Sequence, residues 1–341
     1  MPQTTSGQEG FNMKKTWAFL TAAALLAGLA GCGGSGSSAA NDAQGSGTAA
    51  ASYKVGIVQY MEHSALDSAT QGFQDALKEK LGDQVEFDVQ NAQGEATTCT
   101  TIASKFVNDG VNLILANATP AAQAAAQATG EIPIVGTSIT DYVSAGLVAD
   151  DEAPGGNVTG TSDLNPIKEQ VALLQALCPD AESVGILYCS AEKNSEVQVE
   201  LATSEFEAQG IQVQAYAAAD SNELQSMVTK AASENDALYI PTDNLLANNM
   251  EIVKNITVPE KIPVICGEEN MVTIGGLASY SIDYYTLGYK AGEQAYEIMV
   301  NGADPATMPI EYMAKEDLKV VVNDEIAQEI GVTIPEDLGV E

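Results

Sequence analysis

The chain has 341 residues and a formal net charge of -33, and each of its 14 basic residues is a lysine. A surface that negative repels nucleic acid and polyphosphates, and without a guanidinium fork any anionic ligand must be held by backbone N–H groups, hydroxyls or a Lys. Hydrophobic residues make up 45% of the sequence, which argues against a disordered chain and, at this length, suits two domains.

Met1 to Asn12 are polar, and Met13 is the expected true start. Lys14 and Lys15 form a positive n-region, Trp17 to Leu29 an apolar h-region, and Leu29-Ala30-Gly31-Cys32 a small-residue cleavage site. That order predicts a secretory leader, and the apolar run is too short for a membrane span. Gly33 to Ser52 is Gly, Ser and Ala with little charge, which predicts a flexible tether. The expected division is 1–31 extension and leader, 32–52 tether, 53–163 plus 271–317 lobe one, and 164–270 plus 318–341 lobe two.

Lobe one opens with a predicted strand over 54–60 and a helix from Leu66 to Lys80, where Ala69, Phe73, Ala76 and Leu77 recur at helical spacing. Further strands are expected at 85–89, 113–116, 132–135 and 146–148, with helices over 98–109 and 121–128. Thr119 fits an N-cap and Pro120 the first helical position. Residues 157–163 read as an extended crossover, and Pro166 opens the first helix of lobe two. Its strands are expected at 184–188, 211–216, 238–240 and 262–266. Residues 275–280 read as a strand returning to lobe one before a helix over 286–301, and a last strand over 318–322 precedes a short helix.

The stretch Asn112 to Ser138 returns, in outline, as Ala237 to Gly267: a short apolar run, a turn of Thr, Pro, Asp or Asn, a helix, then Ile-Pro-Val or Ile. Two such βαβ units predict two Rossmann-like α/β lobes, each a parallel sheet flanked by helices, joined by a multi-strand hinge. Ligands of such sheets bind beyond the carboxyl ends of the strands, where helix N-termini point. The turns expected there carry Tyr60, Glu62, His63, Asn91, Thr119, Pro120, Ala121, Thr137, Ser138, Asn194, Ser195, Asp243, Asn244, Glu268, Asp283 and Tyr284. For the Ser, Thr, Asp and Asn among them, a helix cap is an equally good reading. His63 lacks the nucleophile and orienting acid that a hydrolase needs. Cys99, Cys178, Cys189 and Cys266 lack paired metal spacing; a disulfide such as Cys178 to Cys189 and buried free thiols are both open. No metal or cofactor is expected.

Six stretches in order carry a resemblance: VGIVQYMEHSALD (55–67), QNAQGE (90–95), ATPAAQAAAQAT (118–129), GGNVTGTSD (155–163), PTDN (241–244) and SIDYYTLGY (281–289). With them the chain resembles ABC-transporter substrate-binding proteins of the type I periplasmic-binding fold. It is most similar to the family that includes the tryptophan and tyrosine transport binding proteins. The leader ending in Cys32 resembles a lipoprotein signal peptide. The resemblance implies a non-catalytic monomer, lipid-anchored at Cys32 to the outer face of the bacterial membrane. Its two hinged lobes would close on a small ligand and hand it to a permease driven by an ATPase, with no nucleic acid involved. The expected ligand is an aromatic amino acid. Thr119, Thr137, Ser138 and nearby N–H groups would take its carboxylate; Asp243, Asp283, Glu268 or Glu269 its ammonium; Tyr60, Tyr284 and Tyr285 its side chain. A sugar or nucleoside ligand, or a sensory module of the same fold, is the alternative.

Overall fold

The structure is a computed structural model and describes residues 53–336 and 338. The expected leader, the lipid-acceptor Cys32 and the tether lie outside the described residues.

In the first lobe, β1 (Tyr53–Gln59), β2 (Val85–Asn91), β3 (Leu113–Asn117), β4 (Ile134–Ile139) and β5 (Val158–Ser162) alternate with α1 (Ser64–Leu81), α2 (Ala96–Asp109) and α3 (Thr119–Ala128). In the second, α4 (Ile167–Leu177) leads into β6 (Ser183–Cys189), α5 (Lys193–Ala208), β7 (Gln212–Ala218), α6 (Ser221–Glu234) and β8 (Ala237–Ile240). Then follow α7 (Asn244–Ala247), α8 (Met250–Thr257), β9 (Val264–Cys266), α9 (Glu269–Ile274) and β10 (Ala278–Ser281). The chain returns through α10 (Tyr284–Asn301) and β11 (Glu311–Tyr312) to lobe one, and ends in lobe two with β12 (Lys319–Val322) and α11 (Asp324–Ile330).

Each lobe holds one six-stranded sheet, in the orders β11-β5-β4-β3-β1-β2 and β12-β10-β9-β8-β6-β7. Apart from the antiparallel β10–β12 pair, neighbouring strands run parallel. The apolar runs follow from burial on both faces. Val55, Ile57, Leu113 and Leu115 pack with Phe73, Leu77 and Ala291 on one side of the first sheet. Their strand neighbours Val58, Ile114 and Ala116 pack with Phe106 and Ala121 on the other. Because inner strands such as β3 and β4 are buried along their whole length, their faces are closed and their carboxyl ends are left to meet a ligand.

Two expectations are corrected. Residues 146–148 form no strand, with Gly146 in a turn and Leu147 in a bend, and the fifth strand is β5, within the stretch read as a crossover. The strand expected to return to lobe one is β10, which lies between β9 and β12 in the second sheet. The return to lobe one therefore falls after Ser281, at Ile282 and Asp283. Strand pattern reports that a segment is extended and buried, and both sheets satisfy it equally. The thiols of Cys99, Cys178, Cys189 and Cys266 are free. Cys178 caps α4 just before β6 and Cys189 ends β6, so the seven-residue strand itself separates them by roughly 20 Å.

Candidate functional site

The two lobes meet at the carboxyl ends of their strands and enclose two compartments. An inner pocket is walled by His63, Ala65, Leu66, Ser138, Asp163 and Tyr284 from one side and by Asn194, Thr242, Asp243, Asn244, Ala247, Glu268 and Met271 from the other. It holds about 20 Å³ of free space, room for one water or an ammonium group. An outer groove of about 770 Å³ is lined by Tyr60, Met61, Glu95, Thr119 and Pro120 of lobe one and by Cys189, Glu192, Lys193, Asp220 and Leu245 of lobe two. The compartments share a wall, since Asp243 and Asn244 bond to Cys189 and Glu192.

The strand ends that form this region carry strained backbone. Ala118 after β3 has φ 83 and Ser138 in β4 has φ 55, a region that costs a side chain of order 1–3 kcal/mol. Ala118 is the residue before α3, so Thr119 is the first helical residue and not the cap. Thr137, by contrast, is spent within its own lobe, accepting from Thr161 Oγ1 at 3.1 Å.

Three carboxylates face the inner pocket, each held by donors of its own surroundings. Asp243 caps α7, taking Leu246 N on Oδ1 at 2.9 Å and Cys189 N and Ser195 Oγ on Oδ2 at 2.6 and 2.7 Å. Glu268 caps α9 through Asn270 N and Met271 N. Asp163 accepts Thr140 Oγ1 at 3.0 Å and Tyr284 Oη at 2.9 Å. Burial raises all three; the hydrogen bonds oppose it, and Asp163 and Glu268 stand at about 6 and about 7. Behind them Glu192, pushed up first by burial and then by the Asp243 charge, accepts Asn244 N, Asn244 Nδ2 and Leu245 N.

His63 bridges the lobes, with Nε2 at 3.1 Å from Asn244 Oδ1. Asn244 Nδ2 donates to Glu192, which turns its oxygen toward the ring, so His63 Nε2 is the donor. Burial pushes the imidazole below its usual range, and the neutral ring then keeps a lone pair on Nδ1. That atom has no partner, and neither do Asn194 Oδ1 and Ser138 Oγ. All three belong to walls of the inner pocket. A second cross-lobe contact joins Thr140 Oγ1 to Thr242 Oγ1 at 3.4 Å, with Gln198 Nε2 reaching Thr242 Oγ1 at 2.6 Å.

Of the residues expected at the site, His63, Ser138, Asn194, Asp243, Asn244, Glu268 and Tyr284 gather at the inner pocket and Tyr60, Thr119 and Pro120 at the outer groove. Glu62 and Asn91 line a separate hollow walled by lobe-one residues alone. Ala121 is wholly buried in the core. Ser195 is engaged by Asp243, and Asp283 caps α10 by accepting Thr286 N at 2.6 Å. Asp163, Thr140, Thr242, Gln198 and Glu192 were missing from the expected set. Asp163 closes the motif GGNVTGTSD, and its position just after β5 was the available signal. Among the described residues no group of His, Cys, Asp and Glu is arranged to hold a metal ion.

Comparison with known proteins gives this arrangement its relatives. A tyrosine-binding protein of Clostridioides difficile (strain R20291) is 40% identical over 274 residues, 80% of this chain and 79% of the relative. A solved ABC domain from Streptococcus pneumonia in complex with L-Trp is 39% identical, covers 84% of this chain and 97% of its own, and superposes with a TM-score of 0.81. A ligand-free, open substrate-binding protein from Clostridium difficile is 40% identical over 84% of this chain and 98% of its own, with a TM-score of 0.67. At nearly equal identity the chain superposes better on the Trp-bound structure than on the open one. The sequence profile of ABC transporter substrate binding proteins matches residues 54–341, and with these relatives it establishes that the chain belongs to the family of ABC transporter substrate-binding proteins, on the type I periplasmic-binding fold.

Proposed function

We propose that the chain captures an aromatic amino acid outside the cytoplasm and delivers it to the permease of an ABC importer, its body tethered to the membrane by a lipid on Cys32. The observation that carries the ligand reading is the inner pocket. Its unpartnered atoms, His63 Nδ1, Asn194 Oδ1 and Ser138 Oγ, can all accept, and they sit among three carboxylates with room for one small group. An ammonium offers three N–H donors and one positive charge, which is the complement of that set. This assigns the ammonium to the pocket as a whole, where the sequence offered Asp243, Asp283, Glu268 or Glu269 singly. The side chain of the ligand would occupy the outer groove against Tyr60 and Met61, and its carboxylate would lie toward Thr119 at the start of α3. The names of the tyrosine-binding and Trp-bound relatives support an aromatic side chain.

A thermal-shift screen of the purified full chain against amino acids, sugars and nucleosides tests this, because a ligand that binds only the folded state raises the melting temperature. Shifts with Tyr, Trp or Phe are expected; a shift with a sugar or nucleoside and none with an aromatic amino acid would overturn the reading. For the anchor, Cys32→Ser should abolish lipid labelling and membrane fractionation. Among the described residues no helix is long and apolar enough to cross a membrane, so fractionation unchanged by the substitution would require another mode of attachment.

A further inference from the structure

The inner pocket combines buried negative charge with acceptors that have no donor. Its walls carry the carboxylates of Asp163, Asp243 and Glu268 and no Lys. Among the described residues every ion pair joins a Lys to some other acid. Buried charges are ordinarily paired, whereas these three have only neutral hydrogen-bond donors. The acceptors are His63 Nδ1, Asn194 Oδ1 and Ser138 Oγ, and Asn194 and Ser138 are 7% and 6% exposed. The Asn194 amide has one good orientation, since its Nδ2 donates to Thr242 O at 3.0 Å and a flip would set Oδ1 against that carbonyl. His63 and Ser138 belong to lobe one and Asn194 to lobe two, so an occupant bonded to all three ties the lobes together.

Charge, donor type and size together select the occupant. A water fits about 20 Å³ and satisfies the three atoms if Ser138 donates to it, but it brings no charge to three carboxylates. An alkali cation brings the charge, yet hard cations take oxygen ligands, and His63 Nδ1 is a poor partner for one. The ammonium ion is close to water in size, carries the charge and donates four N–H bonds, which suits a nitrogen acceptor as well as oxygens. Building on the ammonium assignment proposed above, we propose that the inner pocket also binds the free ammonium ion, which competes with the amino acid for its amine pole. Capture of the amino acid is then weaker where ammonium is abundant.

Melting temperatures of the purified full chain in ammonium, potassium and tetramethylammonium chloride test the proposal, at one ionic strength so that screening of the net charge of -33 is common to all three. At pH 8, above the values of about 6 and about 7 for Asp163 and Glu268, only ammonium should raise the melting temperature. Tetramethylammonium has the charge but no N–H donor, and it is too large for the pocket. The increment should shrink in Ser138→Ala, which removes one acceptor and strands no donor. Titration calorimetry of the parent chain should give a tyrosine dissociation constant about threefold or more higher in ammonium than in potassium chloride, a measurement that does not depend on the variant folding. Equal melting temperatures in ammonium and potassium chloride, or an undiminished increment in Ser138→Ala, would overturn the proposal. So would a tyrosine affinity unchanged by ammonium. If tyrosine binds and ammonium has no effect, the aromatic amino acid reading stands without the free-ion site. If ammonium stabilises the parent more than Ser138→Ala and no aromatic amino acid binds, the ion site stands and the aromatic reading fails.

Discussion

Replacing Asp243 by Asn separates its two readings, helix cap and ligand-pairing acid. The carboxylate takes three donors, two on Oδ2 and one on Oδ1. An Asn side chain offers one accepting oxygen and an NH₂ group that can only donate. If the oxygen keeps Cys189 N and Ser195 Oγ, the NH₂ faces Leu246 N–H. The cap is then lost, worth about 1 kcal/mol, and a buried donor is stranded at about 1–3 kcal/mol. The opposite orientation loses two bonds and is worse. Removing a charge that burial disfavours offsets part of this, leaving a net destabilisation of about 1–3 kcal/mol. Urea unfolding followed by far-UV circular dichroism should show a midpoint lower by roughly 0.3–1 M, for a slope of about 3 kcal/mol/M. Titration calorimetry on the folded variant should show less than a tenfold loss of ligand affinity, because Asp163 and Glu268 remain. A variant with the parent's midpoint and a larger affinity loss would refute the cap reading and return Asp243 to the ligand.

Asp163 and Glu268 stand at about 6 and about 7 in the folded protein, above the ~4 of an unfolded carboxyl group. The folded state therefore binds more protons between these limits, and ligand-free stability falls as pH rises from about 4 to about 7. His63, lowered by burial, acts in the opposite sense but is a single group. Melting temperatures should thus be higher at pH 5 than at pH 8, with a flatter slope in Glu268→Gln; an equally steep slope in that variant would exclude Glu268 as a source. His63→Ala removes the bridge to Asn244, a bond worth about 0.5–1.5 kcal/mol, so stopped-flow ligand release should quicken about two- to tenfold, and an unchanged rate would count against a cross-lobe role. In α10 a Cβ on Gly288 would come within 1.9 Å of Ala69 O. Gly288→Ala should therefore lower the unfolding midpoint despite a helix-propensity gain of up to ~1 kcal/mol, and a raised midpoint would contradict the close α1–α10 packing.

Much of this architecture is legible in the chain itself, because the signals are local. Apolar runs such as VGIV and LILA mark strands buried on both faces, and the repeated order of strand, polar turn and helix in 112–138 and 237–267 states that there are two α/β lobes. That the ligand region lies at the carboxyl ends of these strands follows from the direction of a parallel sheet. The tertiary structure decided what depends on partners distant in sequence. Residues 278–281 have the same buried, extended character whichever sheet they join, and pairing with Val264–Cys266 and Lys319–Val322 assigns them to lobe two. Asp243, His63 and Asp163 are all polar residues just beyond strands. Whether such a group is spent or left facing the pocket depends on hydrogen-bond partners 54 residues away for Asp243, 181 for His63 and 121 for Asp163. Sequence position orders a side chain along the chain, but hydrogen-bond satisfaction is a property of the folded neighbourhood, and the three unpartnered acceptors that define the inner pocket exist only once both lobes are in place.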